Sequence, residues 1–411
     1  MFERRREVRI RPGGMATDVL TRLVHPPRVT VVDSPTVPPL YASTTYSTEA
    51  LDRIDDVLGG REAGFQYSRQ GNPTVAALEG ALADLEEASW AVVVASGMAA
   101  IAAALEAAVP PGATVLAAEE LYGATDGLLT RWRDRGRITL ARASVGSQGA
   151  FLDAIARERP AVVFVESASN PLLRVADVPA LADAVHRVQG RLVVDNTFLS
   201  PLVLAPVASG ADVVVESLTK FVGGHGDVTA GVVAGVDPAL GRAVLAHRTH
   251  AGAAASPFDA WLAARGLKTL GLRLERQMAS AAALAARLAA AGIATWYPGL
   301  ASHPDHATAA RLWRGGFGAL LSVDLAGGRP AVEAAWRAFR LWGRGTTLGD
   351  VESLALYPAV ASHRGLSPEE RAARGIGPGL LRLSVGIEAV DDLWGDLAMA
   401  LGVPRRPNAV P

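Results

Sequence analysis

Two residues that can do chemistry stand at the ends of neighbouring apolar runs. LVVDNTF carries Asp195, and DVVVESLTKFVGGHGD carries Lys220 just beyond the next run. Ser217 and Thr219 precede the lysine, and a glycine cluster follows it. A primary amine condenses with an aldehyde. A carboxylate keeps an aromatic ring nitrogen protonated, so the ring draws electrons. Hydroxyls and backbone N–H groups in a tight turn hold a phosphate. Pyridoxal 5'-phosphate (PLP) needs all three, and the set reads as its binding site.

Such residues must be positioned by a scaffold. Short aliphatic runs recur between helical stretches at 91–96, 114–119, 161–167, 192–197 and 212–217. None alternates with polar residues, so both faces of each strand are expected to be buried. The repetition predicts an α/β fold, a large and mostly parallel sheet with helices on both faces. The run at 229–235 is a candidate for a further, antiparallel strand. From Thr74 the spacing is helical, with Asn72 and Pro73 as cap and first turn. Beyond about residue 255, alanine- and arginine-rich helices at 261–270, 279–291 and 332–341 flank shorter strands such as 319–325. That change predicts a smaller C-terminal α+β domain. The expected boundaries are an extended arm at 1–64, a PLP-binding large domain at 65–255 and a small domain at 256–411.

In a parallel sheet, ligands gather beyond the carboxyl ends of the strands. Asp195 sits at one such end, Lys220 lies beyond the next, and Asn170 in VESASNP follows a third. A lone lysine or aspartate is ordinarily a surface charge; three polar groups at three strand ends can converge on one ligand. Ser96-Gly97-Met98 ends a strand and begins a helix, where N–H groups suit a phosphate, although any strand–helix turn can carry Ser-Gly. GGHGD lacks the spacing of a P-loop. Tyr122 in LYGAT can stack on a flat ring, with a core tyrosine as the plain alternative. Arg382 in LRLSVGIE is a candidate clamp for a carboxylate, although most arginines lie at the surface. His303 and His306 in HPDH read as a polar loop, because no HExxH and no carboxylate or cysteine set completes a metal site.

Composition narrows the classes further. A length of 411 residues points to two domains or three, and a hydrophobic share of 50% is enough for a sizeable core. A formal net charge of -1 makes no electrostatic case for nucleic acid or an anionic membrane. The chain has no cysteine, which removes disulfides, thiolate zinc sites, iron–sulfur clusters and cysteine nucleophiles, and fits a cytoplasmic protein. The opening MFERRREVRIRPGG is basic with no apolar core behind it. It reads as a solvated tail, or an upstream start ahead of Met15, and not as a secretory signal. Residues 90–105 are apolar but too short for a span, with Ser96-Gly97 in the middle and Glu106 beyond, so a strand turning into a helix is expected.

Ordered motifs then extend along the chain: YSRQGNPT (67–74), ASGMAAI (95–101), LYGAT (121–125), VESASNP (165–171), VVDNTF (193–198), ESLTKFVGGHGDV (216–228), RGLKTL (265–270), YPGL (297–300), TLGDVESL (347–354) and LRLSVGIE (381–388). With them the chain resembles the Cys/Met-metabolism group of PLP enzymes, of fold type I, over nearly everything after Thr21. That group includes cystathionine γ-synthases, γ-lyases and β-lyases and methionine γ-lyases. The resemblance implies that Lys220 holds the cofactor aldehyde and moves protons, that Asp195 pairs with the ring nitrogen, and that Asn170 lies near the phenolic oxygen. It implies that Gly97, Met98, Ser217 and Thr219 bind the phosphate, and that Tyr67 and Arg69 reach the phosphate of a neighbouring subunit. Tyr122 would stack on the ring and assist proton transfer, and Arg382, with Asn170 and Thr347 beside it, would hold the substrate carboxylate. A dimer is then the minimum active unit, and a homotetramer of two dimers the usual assembly.

The implied reaction is γ-elimination or γ-replacement on sulfur amino acids or activated homoserine esters, nearest to cystathionine γ-synthase or γ-lyase. Three positions depart from well-known members. Ala124 stands where methionine γ-lyases usually have cysteine, and Thr346 where several cystathionine enzymes have glutamate. Residues 248–257 also lack the Lys-Asp pair common in γ-lyases. A specialised γ-replacement enzyme, an aminotransferase or a non-catalytic PLP-binding regulator are the other readings, and the intact Lys220, Asp195 and Arg382 set argues against the last.

Overall fold

The computed structural model describes residues 35–48 and 50–404. The expectations for the basic N-terminal stretch and Met15 lie outside them. The chain divides into two compact units, residues 1–40 and 41–411. Of the first, residues 35–40 are described and are exposed. Every helix and sheet among the described residues belongs to the second.

Strands β1 (Trp90–Val94), β2 (Thr114–Ala118), β3 (Thr139–Ala143), β4 (Val162–Glu166), β5 (Arg191–Asp195), β6 (Val213–Ser217) and β7 (Gly231–Gly235) form one sheet in the order β1-β7-β6-β5-β4-β2-β3. The pairs among β2 to β6 are parallel, and β7 is antiparallel to both β1 and β6. β1 therefore points the same way as β6, and β7 alone runs backwards. Valine dominates the central strands, and every residue of β4 and β7 is buried. β-branched residues covered on both faces are what a helix-clad parallel sheet requires.

The strand β3 escaped the sequence reading for a physical reason. It is an edge strand, its residues are exposed or half-buried, and Arg142 interrupts the apolar pattern. A helix at Leu51–Leu58 also lies within the stretch read as an extended arm.

Helices enter where the caps direct. Asn72 accepts from the N–H groups of Thr74 (2.9 Å) and Val75 (3.4 Å) and, with Pro73 in the first turn, starts the helix Pro73–Leu85. Ser96 accepts from Ala99 N at 3.1 Å and starts the helix Gly97–Ala108 directly after β1. The apolar stretch from Trp90 is thus a strand turning into a helix, and among the described residues no helix is long and apolar enough to cross a membrane.

A second sheet joins β8 (Ala294–Trp296), β9 (Leu320–Asp324), β10 (Gly343–Arg344), β11 (Leu354–Leu356) and β12 (Leu380–Ser384) in the order β10-β11-β12-β9-β8, antiparallel apart from β10 with β11. Leu321, Leu381, Leu383, Trp342 and Trp394 build its core. The helix Leu270–Ala290 belongs to both cores: Leu270 and Leu274 join the first, while Leu284 and Leu288 join the second. Its first turns were not legible because a charged residue faces inward. Arg273 is buried and donates to the carbonyls of Phe221 (2.7 Å), Val222 (3.2 Å) and Gly266 (2.8 Å), which steadies the segment just after Lys220.

Candidate active site

Because six strands share one direction, their carboxyl ends open on a single edge, and a cavity of about 320 Å³ lies there. β1 delivers Gly97 and Met98, β2 leads to Tyr122, β4 to Asn170, β5 ends on Asp195, and β6 delivers Ser217, Thr219 and Lys220. The second sheet contributes Arg382 from the middle of β12. Nine residues singled out in the sequence thus line one cavity.

Thr347 does not line the cavity but touches two groups that do. Its hydroxyl accepts from Lys220 Nζ at 2.8 Å, and its carbonyl accepts from Arg382 Nη2 at 2.9 Å. Arg382 Nη1 donates to Asn170 Oδ1 at 3.2 Å. Tyr67 and Arg69 do not join the cavity either. Both are exposed, with the guanidinium over the ring 5.7 Å from its centroid. His303 Nε2 and His306 Nδ1 sit against the carbonyls of Leu172 and Pro298 at 3.2 Å and 2.7 Å.

The electrostatics of the cavity are unbalanced. Arg382 is 2% exposed, and among the described residues no carboxylate pairs with it or with Lys220. Its Nε has no hydrogen-bond partner. Burial pulls its pKa down to about 10. Burial, helped by the charge of Arg382, brings Lys220 down to about 8. Asp195 also lacks a basic partner among the described residues; burial raises its pKa, and hydrogen bonds from Thr197, including the N–H at 3.0 Å, oppose the rise. Unpaired charges out of water are costly, and clusters of them mark sites built to receive a ligand.

Among the other lining residues, Glu166 and Ser362 have no part in the sequence expectations, and Thr346 enters them only as a departure from the family pattern. Glu166, in register with Asp195 across β4 and β5, accepts from Tyr122 N and, at 3.3 Å, from Asn170 N. It thereby ties down the backbone of two cavity residues. Burial and the neighbouring Asp195 raise its pKa well above the ordinary carboxyl value. The signal for it was a glutamate closing a wholly apolar run. Thr346 and Ser362 line the cavity from loops of the second part of the chain, where no periodic pattern marks them.

The residues present fit PLP. Among the described residues, an amine with no acid beside it, an acid with no base beside it and a helix N-terminus at Gly97 meet in one cavity. Gly97 is there for space: a Cβ on it would come 2.7 Å from Ser217 Cβ. Fold and site together define a PLP-dependent enzyme of fold type I. The Cys/Met metabolism PLP-dependent enzyme family matches residues 21–402, and the chain belongs to it.

Known relatives agree on the class and differ in reaction. A cystathionine γ-synthase from Mycobacterium tuberculosis (strain ATCC 25618 / H37Rv) is 40% identical, covering 89% of this chain and 91% of that protein. An O-succinylhomoserine sulfhydrylase from Pseudomonas aeruginosa is 42% identical, covering 88% of this chain and 90% of that protein. The solved structure of a cystathionine γ-lyase from Micromonospora echinospora is 41% identical with a TM-score of 0.84, covering 93% of this chain and 99% of its own. This chain is accordingly a PLP-dependent lyase or transferase of sulfur amino-acid metabolism.

Proposed function

We propose that this protein eliminates or replaces the γ-substituent of a sulfur amino acid or an activated homoserine ester, as cystathionine γ-synthases and γ-lyases do. One observation carries the reading: Arg382 and Lys220, two buried or half-buried cations that pair with no acid among the described residues, share a cavity with Asp195, which pairs with no base among them. An α-amino acid and PLP together bring the complementary charges.

When bound, PLP supplies the electron sink that makes a Cα proton removable. Asp195 holds the ring nitrogen protonated, Tyr122 stacks on the ring, and Asn170 meets the phenolic oxygen. Gly97, Met98, Ser217 and Thr219 hold the phosphate, and Tyr67 and Arg69 reach the phosphate held by a second copy. Arg382 receives the substrate α-carboxylate through its two-pronged guanidinium. Lys220 Nζ, steadied by the Thr347 hydroxyl, would take the proton from Cα; for a γ-leaving group it would first hand that proton on and, neutral again, take one from Cβ. Its lowered pKa of about 8 leaves a useful share of neutral amine near neutral pH. Residues 65–255 act as the cofactor domain and 256–411 as the domain that brings Arg382 and Thr347. The assembly is a cytoplasmic homotetramer built from dimers.

The test offers PLP-loaded protein cystathionine, methionine, and O-succinyl- or O-acetylhomoserine with and without a thiol, with products identified by mass. Release of a keto acid and ammonia marks a lyase; a new thioether from activated homoserine marks a γ-replacement enzyme. Lys220→Ala should abolish both reactions and the lysine-linked absorbance of bound PLP. Full turnover in that variant would overturn the reading.

A further inference from the structure

Glu79 and Arg248 form an ion pair beside the sheet edge, away from the PLP cavity. Arg248 is 4% exposed, and its Nη1 donates to Glu79 Oε1 at 2.6 Å and to the Val93 carbonyl at 3.2 Å. Glu79 Oε1 also accepts from Val93 N at 2.9 Å. Val93 lies in β1, which is an outer strand of the large sheet, so the pair satisfies backbone groups that no neighbouring strand reaches. Burial raises the pKa of Glu79 even with Arg248 against it, so the carboxyl is held in place at a cost.

Capping one strand edge needs no guanidinium fork, yet the second prong is used elsewhere. Arg248 Nη2 donates to the Gln70 carbonyl at 2.8 Å. One residue further on, the Thr249 carbonyl accepts from Arg69 Nη1 at 2.6 Å. The segment carrying Tyr67 and Arg69 is therefore gripped twice by the end of the helix Pro238–Ala251. Gly71 and Asn72 then lead into the helix that bears Glu79.

We propose that Glu79 and Arg248 are positioning residues for the Tyr67–Arg69 segment, coupling the PLP phosphate site of one copy to the fold of the next. The inference rests on the reading that Tyr67 and Arg69 reach a phosphate held by a second copy. Arg248 touches no cofactor; it acts through Gln70 and Arg69. A lysine at 248 would keep the charge for Glu79 but could not serve Val93 and Gln70 at once.

The experiment measures PLP affinity on full-length protein stripped of cofactor and titrated back, in the wild type, Arg69→Ala, Arg248→Lys and the double variant. Thermal unfolding of each verifies folding. Each single variant is expected to weaken PLP binding about tenfold, and the double variant by little more than either alone, because both remove one device. A wild-type affinity in Arg248→Lys, with Arg69→Ala weakened, overturns the inference and leaves the functional reading intact. An unchanged affinity in Arg69→Ala overturns the reading of that segment, and the inference with it. Effects that multiply to about a hundredfold would make Arg248 an independent structural residue and also overturn it. If Arg248→Lys does not fold, Glu79→Gln keeps the shape and the acceptor while removing the charge, and the same outcomes decide.

Discussion

Lys220 illustrates how a reactive residue is held against its own stability. Its ammonium loses water on burial and meets Arg382, with no acid beside it among the described residues, so its pKa falls to about 8 from an ordinary 10.5. In cofactor-free protein this has a definite sign. Between pH 8 and 10.5 the unfolded chain keeps the proton that the folded chain has released, so stability rises with pH across that window. Below pH 8 both forms carry the proton, and the buried charge costs the fold about 3 kcal/mol. Lys220→Met should therefore unfold at a higher temperature than the wild-type apoprotein at pH 7, and the gap should close above pH 10. Calorimetry on both apoproteins checks it. A less stable Lys220→Met at pH 7 would mean that the Thr347 hydrogen bond outweighs the desolvation.

In the proposed PLP site, the element on which the phosphate depends most is the junction of β1, β6 and the helix starting at Gly97. Ser96 caps the helix by taking the Ala99 N–H, and the N–H groups of Gly97 and Met98 in the same turn remain for an anion. The junction works only if Ser217 at the end of β6 can lie against residue 97 without a side chain between them. Gly97→Ala would put a methyl group 2.7 Å from Ser217 Cβ and 3.0 Å from its Oγ. We expect PLP affinity to fall about tenfold or more, since forcing one extra carbon into a packed site costs on the order of 1–3 kcal/mol. Equilibrium titration of the stripped variant measures it, and an unchanged affinity would place the phosphate elsewhere.

At the scale of the molecule, burial of acids makes the whole fold sensitive to pH. Glu86, which closes the helix Pro73–Leu85, is fully buried, and its carboxyl shares a hydrogen bond with the carboxyl of Glu216. Glu216 in β6 is 2% exposed and accepts from Asn196 Nδ2 at 2.9 Å. Burial raises the pKa of Glu86 to about 8, and burial with the charge of Glu86 raises Glu216 well above its ordinary value. A folded state that keeps a proton the unfolded chain gives up near pH 4.5 loses stability as pH climbs from there through 8. Glu86→Gln should flatten that decline. The check is the melting temperature at several pH values from 5 to 8 in both proteins; parallel curves would show that the pair is not protonated.

The amino-acid sequence by itself determined the class of fold and the chemistry of the cavity. Apolar runs such as VVFV, recurring between helical stretches, read as strands covered on both faces, and Asn72-Pro73 and Ser96-Gly97 can start helices without help from distant residues. Residues at the ends of such strands share an edge whatever else the chain does, which is why Asp195, Lys220 and Asn170 were legible together. Tertiary structure alone decided what depends on contact between distant segments. The buried Arg273 and the half-exposed β3 reverse the usual link between polarity and position. The cavity-lining Thr346 and Ser362 come from irregular backbone without a period. Glu166 reaches Tyr122, and Arg248 grips Gln70, across gaps in the chain that no local pattern spans. Local spacing encodes which face a residue occupies; only packing decides which partner it meets there.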